Sequence, residues 1–243
     1  MMQYDPIISF IDVDIFQQDQ LILESVNLQV GFGEWVYLIG KVGSGKSSLI
    51  KALYAELPVQ TGEAFVAGFD LQKIKPTEIP FLRRKIGVIF QDFRLLTDRN
   101  VHDNLSFVLN AIGWNNKKQM ENRIMEVIER VGMQSGLYSM PHELSGGEQQ
   151  RITIARSLLN NPDIILADEP TGNLDPETST ELMEILKEVN GQGKTVLMAT
   201  HDYLLLNKYA SRTLVCSNGK LSDPSSATEE IDFSELLIED GEI

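Results

Sequence analysis

The chain has 243 residues, 42% of them hydrophobic and 23% charged, with a net charge of −14 at pH 7; it can bury one substantial core, and its acidity makes nucleic acid an unexpected partner because phosphate binding needs clustered cations. No apolar run approaches the roughly 18–20 residues that cross a bilayer, and the N-terminus has neither the basic start nor the apolar stretch of a signal peptide. A single cysteine, Cys216, excludes an intrachain disulfide and a thiolate metal cluster, which points to a reducing cytosol.

Residues 7–40 read as β-rich: apolar or alternating runs at 7–10, 21–23, 28–30 and 35–39 are broken by polar and glycine turns. Residues 46–57 switch to helical period, with Leu49, Ile50, Leu53 and Leu57 on one side. A strand and turn follow at 61–68, a short helix begun by Pro76 at 77–85, and an apolar strand at 86–90. Residues 101–138 read as mostly helical, with a stripe of Ile124, Val127, Ile128 and Val131. The second half alternates: helices around 147–159, 176–190 and 203–210 and strands at 164–167 and 195–199, then a hairpin on the type I′ turn pair Asn218-Gly219. Strands alternating with helices imply an α/β fold with a parallel sheet covered by helices. Eight acids and no Lys or Arg fall in 222–243, a tail expected to be disordered, or to dock through a short helix at 231–238.

Residues 40–47 read Gly-Lys-Val-Gly-Ser-Gly-Lys-Ser and lie between a strand and a helix, where G-x-x-x-x-G-K-[ST] marks a phosphate cradle. Gly40, Gly43, Ser44 and Gly45 let the backbone wrap an anion with amides inward, and the helix N-terminus adds a favourable field. Lys46 is placed for the β- and γ-phosphates and the Ser47 hydroxyl for Mg²⁺, with Ser48 next to it. The strand 164–167 runs into Asp168 and Glu169, and ligands of α/β sheets sit at the carboxyl ends of strands. Asp168 is the expected Mg²⁺ partner and Glu169 the group that orients or deprotonates the attacking water. A second Gly-rich turn at 144–151, Leu-Ser-Gly-Gly-Glu-Gln-Gln-Arg, opens another helix and offers a second anion site through Ser145 and Gly147. One nucleotide does not need two cradles in one chain, so two chains can close over ATP, each cradle serving the opposite nucleotide.

On these motifs the sequence resembles the ATP-binding subunits of ABC transporters from about residue 7 to 221. The resemblance implies a P-loop NTPase, RecA-like core with a mostly parallel sheet, an N-terminal antiparallel β subdomain and an inserted helical subdomain at about 92–155. Residues 1–221 would form the nucleotide-binding domain, and 222–243 the appended tail. It also implies roles for further residues. Gln91 matches the glutamine linking Mg²⁺ and attacking water to the membrane partner, and Asn173-Leu174-Asp175 the loop spanning the dimer interface. His201 matches the histidine at the γ-phosphate, and Phe16 lies where the family stacks an aromatic on adenine. ATP and Mg²⁺ are the implied ligands, and a homodimer formed on ATP binding is the implied working state.

The stretch 79–101 is similar to the FtsE branch of that family, which pairs with an integral membrane protein of the FtsX type at the cytoplasmic face of the bacterial inner membrane. That branch implies a peripheral ATPase in cell division. Branches in lipoprotein release and macrolide efflux share most of these features, and a soluble ABC ATPase without a membrane partner is the alternative from another class.

Overall fold

The computed structural model describes residues 5–172 and 174–224. In chain order the elements begin with β1 (Ile8–Gln17), β2 (Gln20–Val30), β3 (Trp35–Ile39), α1 (Lys46–Leu53), β4 (Glu63–Val66) and β5 (Phe69–Asp70). Next come α2 (Ile79–Arg84), β6 (Ile86–Ile89), α3 (Val101–Ala111), α4 (Lys117–Arg130) and α5 (Gly146–Leu158). The last are β7 (Ile164–Asp168), α6 (Pro176–Gly191), β8 (Thr195–Ala199), α7 (Tyr203–Lys208), β9 (Arg212–Ser217) and β10 (Lys220–Ser222). No helix among the described residues is long and apolar enough to cross a membrane.

The strands form two sheets. An antiparallel sheet runs β2-β1-β4-β5, and a second sheet runs β10-β9-β3-β8-β7-β6. In the second, all pairings are parallel except the β9–β10 hairpin. The inner strands are apolar on both sides, as a parallel sheet covered on both faces requires. Side-chain alternation then splits them. Tyr37, Ile165, Ala167, Val196 and Met198 join the core against α3–α6, whereas Val36, Leu38, Ile164, Leu166 and Leu197 join a second core shared with α1, α2 and the antiparallel sheet. The second face is therefore covered by a sheet as well as by helices.

Boundaries moved where local chemistry overrode periodicity. The helix expected at 46–57 ends at Leu53: Ala55 turns left-handed (φ 55°), and the amides of Glu56 and Leu57 fold back onto the Lys51 carbonyl. The helix expected at 77–85 starts at Ile79 with Pro80, not Pro76, in its first turn, where a missing N–H is harmless. The helical region 101–138 is two helices, separated by Gly113 (φ 96°) and restarted by Asn116, whose side chain accepts from the Gln119 amide. The 218–219 turn holds, with φ 50° at Asn218 and 72° at Gly219. The expectations for 225–243, disorder or a helix at 231–238, and for Asn173 lie outside the described residues.

The order β3-β8-β7 positions the site. The glycine-rich loop leaves β3 and the paired acids end β7, so the end of β8, leading to Thr200 and His201, lies between them.

Candidate nucleotide site

The loop from β3 to α1 turns through Gly40, Gly43 and Gly45 at φ 148°, 80° and 107°. At Gly40 no side chain fits, since a Cβ would stand 2.2 Å from the Cys216 carbonyl oxygen and 2.7 Å from Ser44 Oγ. The Ser44 hydroxyl is buried without a hydrogen-bond partner, an orphan polar atom within the loop. Lys46, the first residue of α1, is 5% exposed and donates from Nζ to the carbonyls of Gly40 (2.7 Å) and Lys41 (3.2 Å). Its ammonium also lies 3.8 Å from Glu169 Oε1.

Across the sheet, β7 delivers Asp168 and Glu169. Burial raises the Asp168 pKa above the usual carboxylate value despite a hydrogen bond with Ser47, so this carboxylate stands where a cation would relieve its desolvation. Glu169 is left-handed (φ 49°), and its amide donates to the Ala199 carbonyl at 2.9 Å, turning the chain towards β8. That turn brings Glu169 Oε2 within 3.1 Å of His201 Nδ1. Lys46 and His201 thus approach opposite oxygens of one carboxylate. Gln91 lies over the same turn: a Cβ on Gly172 would sit 3.4 Å from its Nε2 and 3.3 Å from the Glu169 carbonyl oxygen.

Gly43, Gly45, Lys46, Ser47, Ser48, Gln91 and Glu169 stand in the lining of a pocket of about 370 Å³. Gln17 and Ile22, from the antiparallel sheet, also line it. Neither was singled out in the sequence, where they read as ordinary strand and turn residues. Phe16 is half-buried on β1 and does not line this pocket. Among the described residues no cluster of three or more His, Cys, Asp or Glu forms a metal cage. Ser47 hydroxyl, Asp168 carboxylate and Gln91 amide nonetheless offer an all-oxygen set suited to Mg²⁺, which ordinarily takes one or two carboxylates and completes its shell with phosphate and water.

Ser145, Gly147 and Asp175 stand outside that pocket. Ser145 caps α5, accepting from the Glu148 amide at 3.3 Å, while the Glu148 carboxylate accepts from Ser145 N and Oγ, each at 2.8 Å. This reciprocal capping box holds Glu148 below the usual carboxylate pKa. Asp175 caps α6, accepting from Glu177 N, Thr178 N and Thr178 Oγ1 at 3.1, 2.9 and 2.6 Å. Its carboxylate is thereby given to its own helix. One chain thus holds a cradle with its acids, and a second capped helix start apart from them.

Residues 23–172 match the ABC transporter family. The chain belongs to that family, among its ATP-binding cassettes. The cell division ATP-binding protein FtsE of Streptococcus pneumoniae is 45% identical to this cassette over 207 residues, covering 85% of this chain and 90% of its own. FtsE of Escherichia coli is 41% identical over 199 residues, covering 82% and 89%. A dimeric ATP-binding cassette in a post-hydrolysis state, bound to ADP and Pi, superposes with a TM-score of 0.79 at 30% identity, covering 89% of this chain and 98% of that one. A Clostridium perfringens subunit of the cbiONQ ABC transporter complex gives 0.82 at 25% identity, with 97% and 96% covered. The cassette is accordingly a nucleotide-binding ABC ATPase with a P-loop α/β core.

Proposed function

We propose that this cassette is the ATP-hydrolysing subunit of an FtsEX-like membrane complex of bacterial cell division. It would lie on the cytoplasmic face of the inner membrane and close as a homodimer on ATP to move an FtsX-like integral partner. The likeness to FtsE, at 45% and 41% identity over most of the chain, carries the choice of branch, and the separation of parts within one chain carries the homodimer: Lys46, Ser47 and Glu169 share one pocket, and the capped turn at Ser145 lies outside it. A second copy completes the site. Residues 92–155 act as the helical subdomain that presents this turn.

In the bound state Lys46 exchanges the carbonyls of Gly40 and Lys41 for the β- and γ-phosphates, and Ser44 finds its missing partner among the phosphate oxygens. Ser47, Asp168 and Gln91 would hold Mg²⁺, which when bound would neutralise phosphate charge. Glu169, already aligned by Lys46 and His201, orients the attacking water, and His201 donates towards the γ-phosphate. Ser145 and Gly147 of the second copy close over the same phosphate, with Asp175 at the interface between copies and Phe16 beside the base. Catalysis is then positioning and electrostatics on a preorganised frame.

The test is Glu169→Gln. Loss of the base is expected to cut phosphate release by about 10²–10⁴-fold, with ATP binding retained and dimer accumulating in gel filtration. Wild-type turnover in this variant refutes the role of Glu169. Purification of the tagged chain from gently solubilised native membranes tests the partner. A protein with few spans and a large external segment supports the proposal, whereas a many-spanning permease or no membrane protein overturns it.

A further inference from the structure

The segment that follows Gln91 is the one place among the described residues where two consecutive non-glycine residues take positive φ: Phe93 and Arg94, both at 51°. Side-chain-bearing residues rarely adopt this conformation, and two in succession persist only when their surroundings impose it. Arg156, in the last turn of α5, supplies that constraint. Its Nη2 donates to the Phe93 carbonyl at 2.7 Å and its Nη1 to the Arg94 carbonyl at 2.6 Å. Burial, with a smaller contribution from the Arg94 charge, lowers the Arg156 pKa to about 10, so the group remains cationic at neutral pH.

The same segment lies close to the other end of α5. Gly146, the first residue of that helix, would place a Cβ 3.8 Å from Phe93 Cζ. Arg94 in turn packs its guanidinium over the Phe90 ring at 4.0 Å and donates from Nε to Asp92 at 3.0 Å. Residues 93 and 94 are thus held by α5 through Arg156, with Gln91 of the pocket on one side and the start of α5 close to the Phe93 ring on the other.

We infer that Arg156 is a positioning residue for the ATPase, its guanidinium fork holding residues 93 and 94 left-handed so that Gln91 stays at the pocket and Phe93 against the α5 turn. This rests on the nucleotide-site reading of Gln91 and Ser145. The planar fork matters because two carbonyls are bridged at fixed spacing, which one ammonium on a flexible stem cannot reproduce.

The experiment compares wild type, Arg156→Lys, Arg156→Gln, Arg94→Gly and the Arg156→Lys/Arg94→Gly double variant, each as the full chain with Mg·ATP. Arg156→Lys is expected to lower kcat about tenfold or more, as small misplacements of reacting groups do, with KM changed less than about threefold, since Lys46 and the loop are untouched. In the Arg94→Gly background, where one of the two left-handed residues is no longer strained, the same substitution is expected to cost less. Amide exchange at residues 92–95 should accelerate in Arg156→Lys and Arg156→Gln while α5 stays protected, a readout independent of hydrolysis. Absence of ATP turnover in wild type, with that exchange pattern present, defeats the ATPase reading and leaves the clasp standing. An unchanged kcat, an equal loss in both backgrounds, or loss of far-UV helix signal in both Arg156 variants overturns the inference, the last because the arginine would then hold the fold rather than the segment.

Discussion

Gly147 is required by packing as well as by any phosphate it faces, and this can be separated by a double-mutant cycle. A Cβ at 147 would stand 2.5 Å from Thr178 Cγ2 on α6, well inside the roughly 3.5–4.0 Å of carbon contact. Thr178 is not free to turn away, because its Oγ1 donates to Asp175 Oδ2 at 2.6 Å. Rotating it forfeits that hydrogen bond to the Asp175 carboxylate. Separating α5 from α6 instead costs about 1–3 kcal/mol, the usual range for overpacking. Alanine within a helix returns up to about 1 kcal/mol of propensity, less at this first-turn position. Gly147→Ala is therefore expected to lower stability by about 1 kcal/mol. Thr178→Ser removes the methyl and keeps the hydroxyl for Asp175, so in that background Gly147→Ala becomes neutral or stabilising. Urea denaturation of the four proteins without nucleotide measures the cycle, with an expected coupling of about 1–2 kcal/mol. A Gly147→Ala penalty that Thr178→Ser leaves unchanged refutes the packing argument.

Two further outcomes follow from the same geometry. Gly40→Ala sets a methyl 2.2 Å from the Cys216 carbonyl oxygen at φ 148°; because that oxygen belongs to backbone, the loss in a thermal melt should reach about 3 kcal/mol or more. His102 on α3 joins Asp103 (3.3 Å) to Glu121 on α4 (2.8 Å) and stacks on Tyr138. Burial lowers its pKa, but the hydrogen bonds to the two carboxylates outweigh that and raise it above 6.5. The stabilisation is therefore full below the unfolded value and fades as pH rises through the folded one. His102→Gln should lower the melting temperature most near pH 6 and least at pH 8.5, and an equal loss at both refutes the charge argument.

Local chemistry written in consecutive residues was legible without coordinates. The glycine-rich loop at 40–47 between strand and helix, the acids ending an apolar strand at 168–169, the Ser145 turn and the Asn218-Gly219 hairpin each depend on residues near in sequence, and each formed where expected. Helix ends were less legible, because Ala55 and the placement of Pro80 are decided by how the chain leaves one packed element and enters another.

What the sequence by itself determined was the family, the P-loop α/β class and the identity of the groups that meet at Glu169. Only the tertiary structure decided how they meet. It set β8 between β3 and β7, so that Lys46 and His201 approach opposite oxygens of one carboxylate. It also brought Gln17 and Ile22 from another sheet into the pocket wall, and gave Arg156 the carbonyls of residues more than 60 positions earlier. The physical reason is range: turns, caps and periodicity are satisfied within a few residues, whereas strand order and buried hydrogen bonds are selected by the packing of the whole chain.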